Sequence, residues 1–98
     1  MEKNLTIEDI KKAVEKIAPE YSLKKVTLFG SRARGNFRED SDVDLLVEFT
    51  TEGVSLLKII SLKHRLEDMW NLNVDIVHGP ITEDDILEID KEIKIYAA

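Results

Sequence analysis

The chain has 98 residues, 43% hydrophobic and 35% charged, which predicts a single small domain over residues 1–98 with one core and no second lobe. Its formal charge of −6, from 14 basic and 20 acidic residues, argues against bulk contact with a nucleic acid backbone, so no direct nucleic acid binding is expected. The absence of cysteine excludes disulfides, thiol nucleophiles and cysteine-held metals. No long apolar run, charged-then-apolar leader or lipidation signal is present, so the expectation is a cytoplasmic protein without a membrane anchor.

Thr6 to Ala18 reads as a helix, with Thr6 and Asp9 as a capping box, Ile7, Ile10, Val14 and Ile17 at helical spacing, and Pro19 as its end. Lys25 to Phe29 reads as the first strand, broken by Gly30-Ser31, after which a short helix can start. Asn36 to Ser41 is a polar turn carrying part of a basic run, Arg32, Arg34 and Arg38. Val43 to Phe49 is the second strand and Thr50 to Gly53 closes it. Ser55 to Trp70 is the longest helix, with Leu56, Ile59, Ile60, Leu66 and Trp70 as its core stripe. Val74 to Val77 is a short third strand. Thr82 to Tyr96 reads as the last helix, capped by Thr82, with Glu83, Asp84 and Asp85 in its first turn and Ile86, Ile89, Ile93 and Tyr96 in register. The alternation predicts a layered α/β (α+β) fold with a three-stranded mixed sheet and flanking helices.

Strand side chains alternate faces, so Asp42 and Asp44 point one way with Leu46 and Glu48, while Val43, Leu45, Val47 and Phe49 point into the core. The two acids lie roughly 6–7 Å apart at Cβ. Like charges this close are costly without a cation or hydrogen bonds, and oxygen ligands suit Mg²⁺ or Mn²⁺ better than zinc. The two histidines, His64 and His78, are too few and too far apart for a zinc site, and both read as structural, although His78 has a place near a nucleotide open to it. Asp75 interrupts the apolar run Val74-Asp75-Ile76-Val77 with no basic neighbour. The long helix suits a parallel crossover, which would bring Asp75 level with Asp42 and Asp44. An antiparallel first strand would deliver Gly30-Ser31 to the same place. Ser31 at a helix start offers an anion site, Gly30 a close backbone approach, and Arg34, with Arg32 as a second candidate, positive charge. Phosphate donors facing carboxylates point to phosphoryl or nucleotidyl transfer.

Each feature alone has a plainer explanation. Asp-x-Asp is common in turns, the arginines suit solvated turn positions beside Glu39 and Asp40, and Glu48 reads as peripheral. The order of the features is what carries the reading. Gly30-Ser31, ten intervening residues, Asp42-x-Asp44 and a later strand Asp75 resemble the signature of the DNA polymerase beta superfamily of nucleotidyltransferases. The strings GSRARG and SDVDLLV are similar to the minimal nucleotidyltransferases, the MNT group of bacteria and archaea, over nearly the whole chain.

That resemblance implies a nucleotidyltransferase fold, two Mg²⁺ ions with Mn²⁺ as a substitute, and ATP as substrate. By position, Asp42 and Asp44 would bind both metals, and Asp75 would bind the catalytic one and help deprotonate the attacking hydroxyl. Gly30 and Ser31 would hold the β- and γ-phosphates, Arg34 would support them, and Ser41 is grouped with the nucleotide-contacting residues. The resemblance also implies a HEPN-type toxin partner, modified with AMP on a tyrosine, this chain being the antitoxin. The negative charge suits a basic partner. The competing expectations are an antitoxin acting by occlusion and an aminoglycoside-type small-molecule transferase. Self-association through the exposed side of the long helix or the C-terminal helix is compatible with the sequence.

Overall fold

The structure is a computed structural model that describes residues 5–35, 38, 40–51, 53–79 and 92–98. Helix α1 runs Ile7–Tyr21, strand β1 Leu23–Phe29, helix α2 Ser31–Arg34 and strand β2 Val43–Phe49. Helix α3 follows at Leu56–Trp70, strand β3 at Val74–His78 and strand β4 at Ile93–Ala97. The sheet has four strands in the order β3-β2-β1-β4. β2 and β3 are parallel, and β1 is antiparallel to both its neighbours.

The capping box of α1 forms as expected: Thr6 Oγ1 accepts from the Asp9 amide and Asp9 Oδ2 accepts from the Thr6 amide, each at 3.1 Å. The helix does not end at Pro19 but continues to Tyr21. A proline this close to the C-terminus removes one helix bond, and local packing offsets the loss. Ala18 and Tyr21 are buried, and the Tyr21 hydroxyl pairs with Ser61 Oγ at 3.0 Å. Ser22, in the left-handed conformation with φ 54°, closes the helix by donating to the Ala18 carbonyl.

α1 and α3 pack together on one face of the sheet. Ile10, Val14 and Ile17 meet Val26, Leu28, Val43, Leu45, Val47, Val74 and Ile95 in one core. Each fully buried aliphatic side chain contributes about 1.5–3 kcal/mol by leaving water.

Two further elements depart from the sequence reading. Ile93–Ala97 is not the end of a helix but the fourth strand, pairing Leu28↔Ile93, Thr27↔Lys94 and Val26↔Tyr96 with β1. Without this strand the outer edge of β1 would be a row of unpaired backbone groups, and the β-branched and aromatic residues of this segment suit a strand as well as they suit a helix face. Ile95 is buried there. The rest of the expected last helix, including Thr82, Glu83, Asp84, Asp85, Ile86 and Ile89, lies outside the described residues.

In α3 Ser55 caps the helix, its Oγ accepting from the Lys58 amide at 3.2 Å, and the core stripe differs from the expected one. Leu62 and Leu66 are each 1% exposed, with Ile59 and Trp70 packed beside them, whereas Leu56 is 70% and Ile60 37% exposed. Residues 59, 62, 66 and 70 fall on a narrow arc of a 3.6-residue helix that meets the sheet. Leu56 and Leu57, in the first turn, face solvent. Among the described residues, no helix is long and apolar enough to cross a membrane.

Candidate active site

The sheet register builds the site. Phe29 is opposite Asp44 in the β1–β2 pair, and Asp44 is level with Asp75 in the β2–β3 pair. The end of β1 and the starts of β2 and β3 therefore share one end of the sheet. The expected facing of β2 is also observed, with Val43, Leu45, Val47 and Phe49 buried in the core and Asp44 half-buried on the other side.

Gly30 links β1 to α2 with φ 77° and ψ −158°, a conformation that L side chains rarely adopt. A side chain here is excluded twice. An added Cβ would fall on the Asp44 Oδ2 atom and stand 3.1 Å from its Cγ. The glycine is the space into which the Asp44 carboxylate extends. The hydrogen bonds of α2 begin at Ala33 and Arg34, both donating to the Gly30 carbonyl at 3.1 Å, so Ser31 and Arg32 open the helix with amides that the helix itself does not use.

Asp44 is the electrostatic centre of this end. Its carboxyl is raised above the ordinary value, first by burial, then by the charge of Asp75 and a hydrogen bond shared with it, and then by the charge of Asp42. Arg34, exposed on α2, pulls in the opposite direction. Asp42 and Asp75 are exposed. Among the described residues, no three ligating side chains are drawn together into a finished metal cage. The donor chemistry nevertheless fits a hard divalent cation: carboxylate oxygens from two paired strands, with Asp44 beside the charges of Asp75 and Asp42.

The remaining expected positions divide. Ser41 stands at the mouth of β2, where its hydroxyl accepts the Arg38 amide at 2.7 Å and its own amide donates to the Arg38 carbonyl at 3.1 Å. It closes the turn that leads into Asp42. Arg32, expected as a second source of positive charge, is instead 3% exposed and donates to the Ser41 and Leu5 backbone carbonyls. His78 is level with Val47, three residues along the strands from the Asp44–Asp75 pair, with its ring edge-on to Phe49 at 5.3 Å. Glu67, which sequence reading passed over, accepts the Val74 amide at 3.0 Å and Lys63 Nζ at 2.7 Å, so it fixes the residue next to Asp75. The one sequence cue for it was the i,i+4 spacing to Lys63.

The model of the nucleotidyltransferase domain family matches residues 7–97. The chain belongs to this family. This nucleotidyltransferase is 39% identical over 88 residues to a Methanocaldococcus jannaschii protein provisionally named a protein adenylyltransferase, covering 85% of this chain and 92% of that one. It is 40% identical over 77 residues to the protein adenylyltransferase MntA of Thermococcus cleftensis, covering 74% and 77% of the two chains. In structure it resembles a chain from a complex of tri-AMPylated Shewanella oneidensis HEPN toxin with MNT antitoxin, with a TM-score of 0.69 at 14% identity over 95% of this chain and 74% of that one. At that identity the likeness concerns the fold alone.

Proposed function

We propose that this nucleotidyltransferase moves AMP from ATP to a hydroxyl, a tyrosine of a HEPN-type partner, and so acts as the antitoxin of a toxin–antitoxin pair. The observation that carries the reading is the register that levels Asp44 with Asp75 beneath the Gly30 backbone. A relative that is a protein adenylyltransferase and a fold neighbour complexed with a HEPN toxin support a protein acceptor and a partner of that kind.

Asp42, Asp44 and Asp75 are the residues that would hold Mg²⁺ or Mn²⁺, two ions in all, which when bound neutralise phosphate charge and act as Lewis acids. Gly30 and Ser31 bring backbone amides and a hydroxyl to the β- and γ-phosphates, and Arg34 adds positive charge. Ser41 keeps Asp42 at the mouth of β2 and lies within the nucleotide-facing set. The acceptor oxygen attacks the α-phosphorus as its proton passes to the Asp75 carboxylate. A new P–O bond forms, the bond to the β-phosphate oxygen breaks, and pyrophosphate leaves. A protein acceptor would bring its own hydroxyl and its own contact surface to this end of the sheet.

Intact mass of a co-expressed HEPN-type protein, incubated with this chain, ATP and Mg²⁺, tests the proposal. A gain of one or more AMP units, absent with the Asp42→Asn, Asp44→Asn double variant, is the expected result. A tight complex with unchanged mass would replace it with an occlusion antitoxin. Neither mass gain nor complex would return a small-molecule acceptor to first place.

A further inference from the structure

Arg32 is a buried cation that the transfer chemistry leaves unused. Its Nε and Nη2 donate to a single acceptor, the Ser41 carbonyl oxygen, at 3.2 and 3.1 Å. Its Nη1 reaches the Leu5 carbonyl at 3.4 Å, next to the Thr6 cap of α1. Burial pulls its guanidinium below its ordinary value, yet arginine remains charged in proteins. Burying such a group is costly, and an apolar side chain would fill the space without that cost. The planar fork does what an apolar group cannot: it fixes one carbonyl oxygen with two donors in a set direction.

The place of that grip matters. Arg32 follows Ser31, and Ser41 precedes Asp42. The backbone ladder between β1 and β2 ends at the Phe29↔Asp44 pair. Beyond that pair, strand pairing no longer sets the separation between the Gly30-Ser31 turn and Asp42. Arg32 bridges this gap, while the cation that acts on Asp44 by charge is Arg34.

We propose that Arg32 is a positioning residue: it holds the Gly30-Ser31 turn at a fixed distance from Asp42 by clamping the Ser41 carbonyl. The kinetic part of this proposal rests on the nucleotidyl-transfer reading. Misplacement of reacting groups by about 1 Å costs on the order of a hundredfold in rate.

The test compares wild type, Arg32→Lys and Arg32→Gln in two measurements. The first is amide hydrogen exchange on the intact chain. Faster exchange at Ser31–Gly35 and Ser41–Asp44, with α1, α3 and the middle of the sheet unchanged, is expected in both variants. Unchanged protection at those segments, or loss of protection throughout with Tm falling by more than about 10 °C in both variants, would overturn the proposal. The second is the steady-state kinetics of AMP transfer to the partner. The expected result is kcat lowered about a hundredfold with KM for ATP within about threefold of wild type. A raised KM with kcat retained would make Arg32 a nucleotide ligand and overturn it. If wild type transfers nothing, the transfer reading fails, while the exchange measurement still decides whether Arg32 is the clamp.

Discussion

Two carboxylates near the start of β3 have opposite environments. Glu67, at the C-terminal end of α3, is held below its ordinary value of 4.5, first by its hydrogen bond with Lys63 and then by the Val74 amide. Asp44, at the start of β2, is pushed above its ordinary value of 3.8, first by burial and then by Asp75. Glu67 has its partners within the fold, so it behaves as a structural link. Asp44 has Asp75 and Asp42 beside it with Arg34 opposing them, so a bound divalent cation would relieve this corner of the molecule. An acid satisfied by its own fold serves the fold, and an acid left in conflict marks the site.

The sharpest way to break that contrast is to remove the conflict. The double variant Asp42→Asn, Asp44→Asn should lower AMP transfer by at least about a thousandfold, measured by mass gain of the partner. Its Tm at pH 7 should equal or exceed that of wild type without Mg²⁺, because like-charge repulsion is relieved. A fall in Tm would mean that these acids stabilise the fold, as Glu67 does.

Gly30→Ala should follow in size. The methyl group meets the Asp44 carboxylate at a backbone angle unsuited to it. About 1–3 kcal/mol of strain, read from chemical denaturation, and a loss of transfer on the order of a hundredfold are expected. The same substitution at Gly35, where an added Cβ meets nothing within 4 Å, leaves transfer intact and isolates the collision from the positive φ that both glycines share.

Divalent metal with ATP should raise Tm at neutral pH, with a ligand at a hundred times its Kd adding about 2.7 kcal/mol. The shift should vanish in the double variant. A flat Tm across millimolar Mg²⁺ and ATP would remove the site from consideration.

The smallest effect separates the two acids by pH. The folded Glu67 binds its proton more weakly than the unfolded one, so its contribution is present above about pH 4.5 and is lost as pH falls through its lowered value. Asp44 has the reverse sign. Its penalty is absent below its ordinary 3.8 and grows as pH rises through its raised value. Thermal melts between pH 3 and 7 should therefore show Glu67→Gln losing more stability at pH 7 than at pH 3, and Asp44→Asn gaining more at pH 7 than at pH 3.

The neighbourhood of Asp44 and Asp75 and the facing of β2 were legible in local sequence. Strand alternation put Asp44 on the face opposite Val43, Leu45 and Val47, and a helical crossover made β2 and β3 parallel, so Asp75 had to lie near Asp44. These outcomes follow from local periods and from connection rules that hold for any chain. Long-range packing made the choices between locally equivalent options. Ile93–Ala97 carries apolar spacing compatible with a helix face, and the open edge of β1 made it a strand. α3 offers apolar residues around much of its circumference, and contact with the sheet selected Leu62 and Leu66 over Leu56. Arg32 and Arg34 look alike in GSRARG, and a carbonyl within reach of one of them, supplied by a residue nine positions away in sequence, made Arg32 buried and left Arg34 at the surface. Local sequence sets which conformations are cheap, and long-range partners choose among those of equal cost.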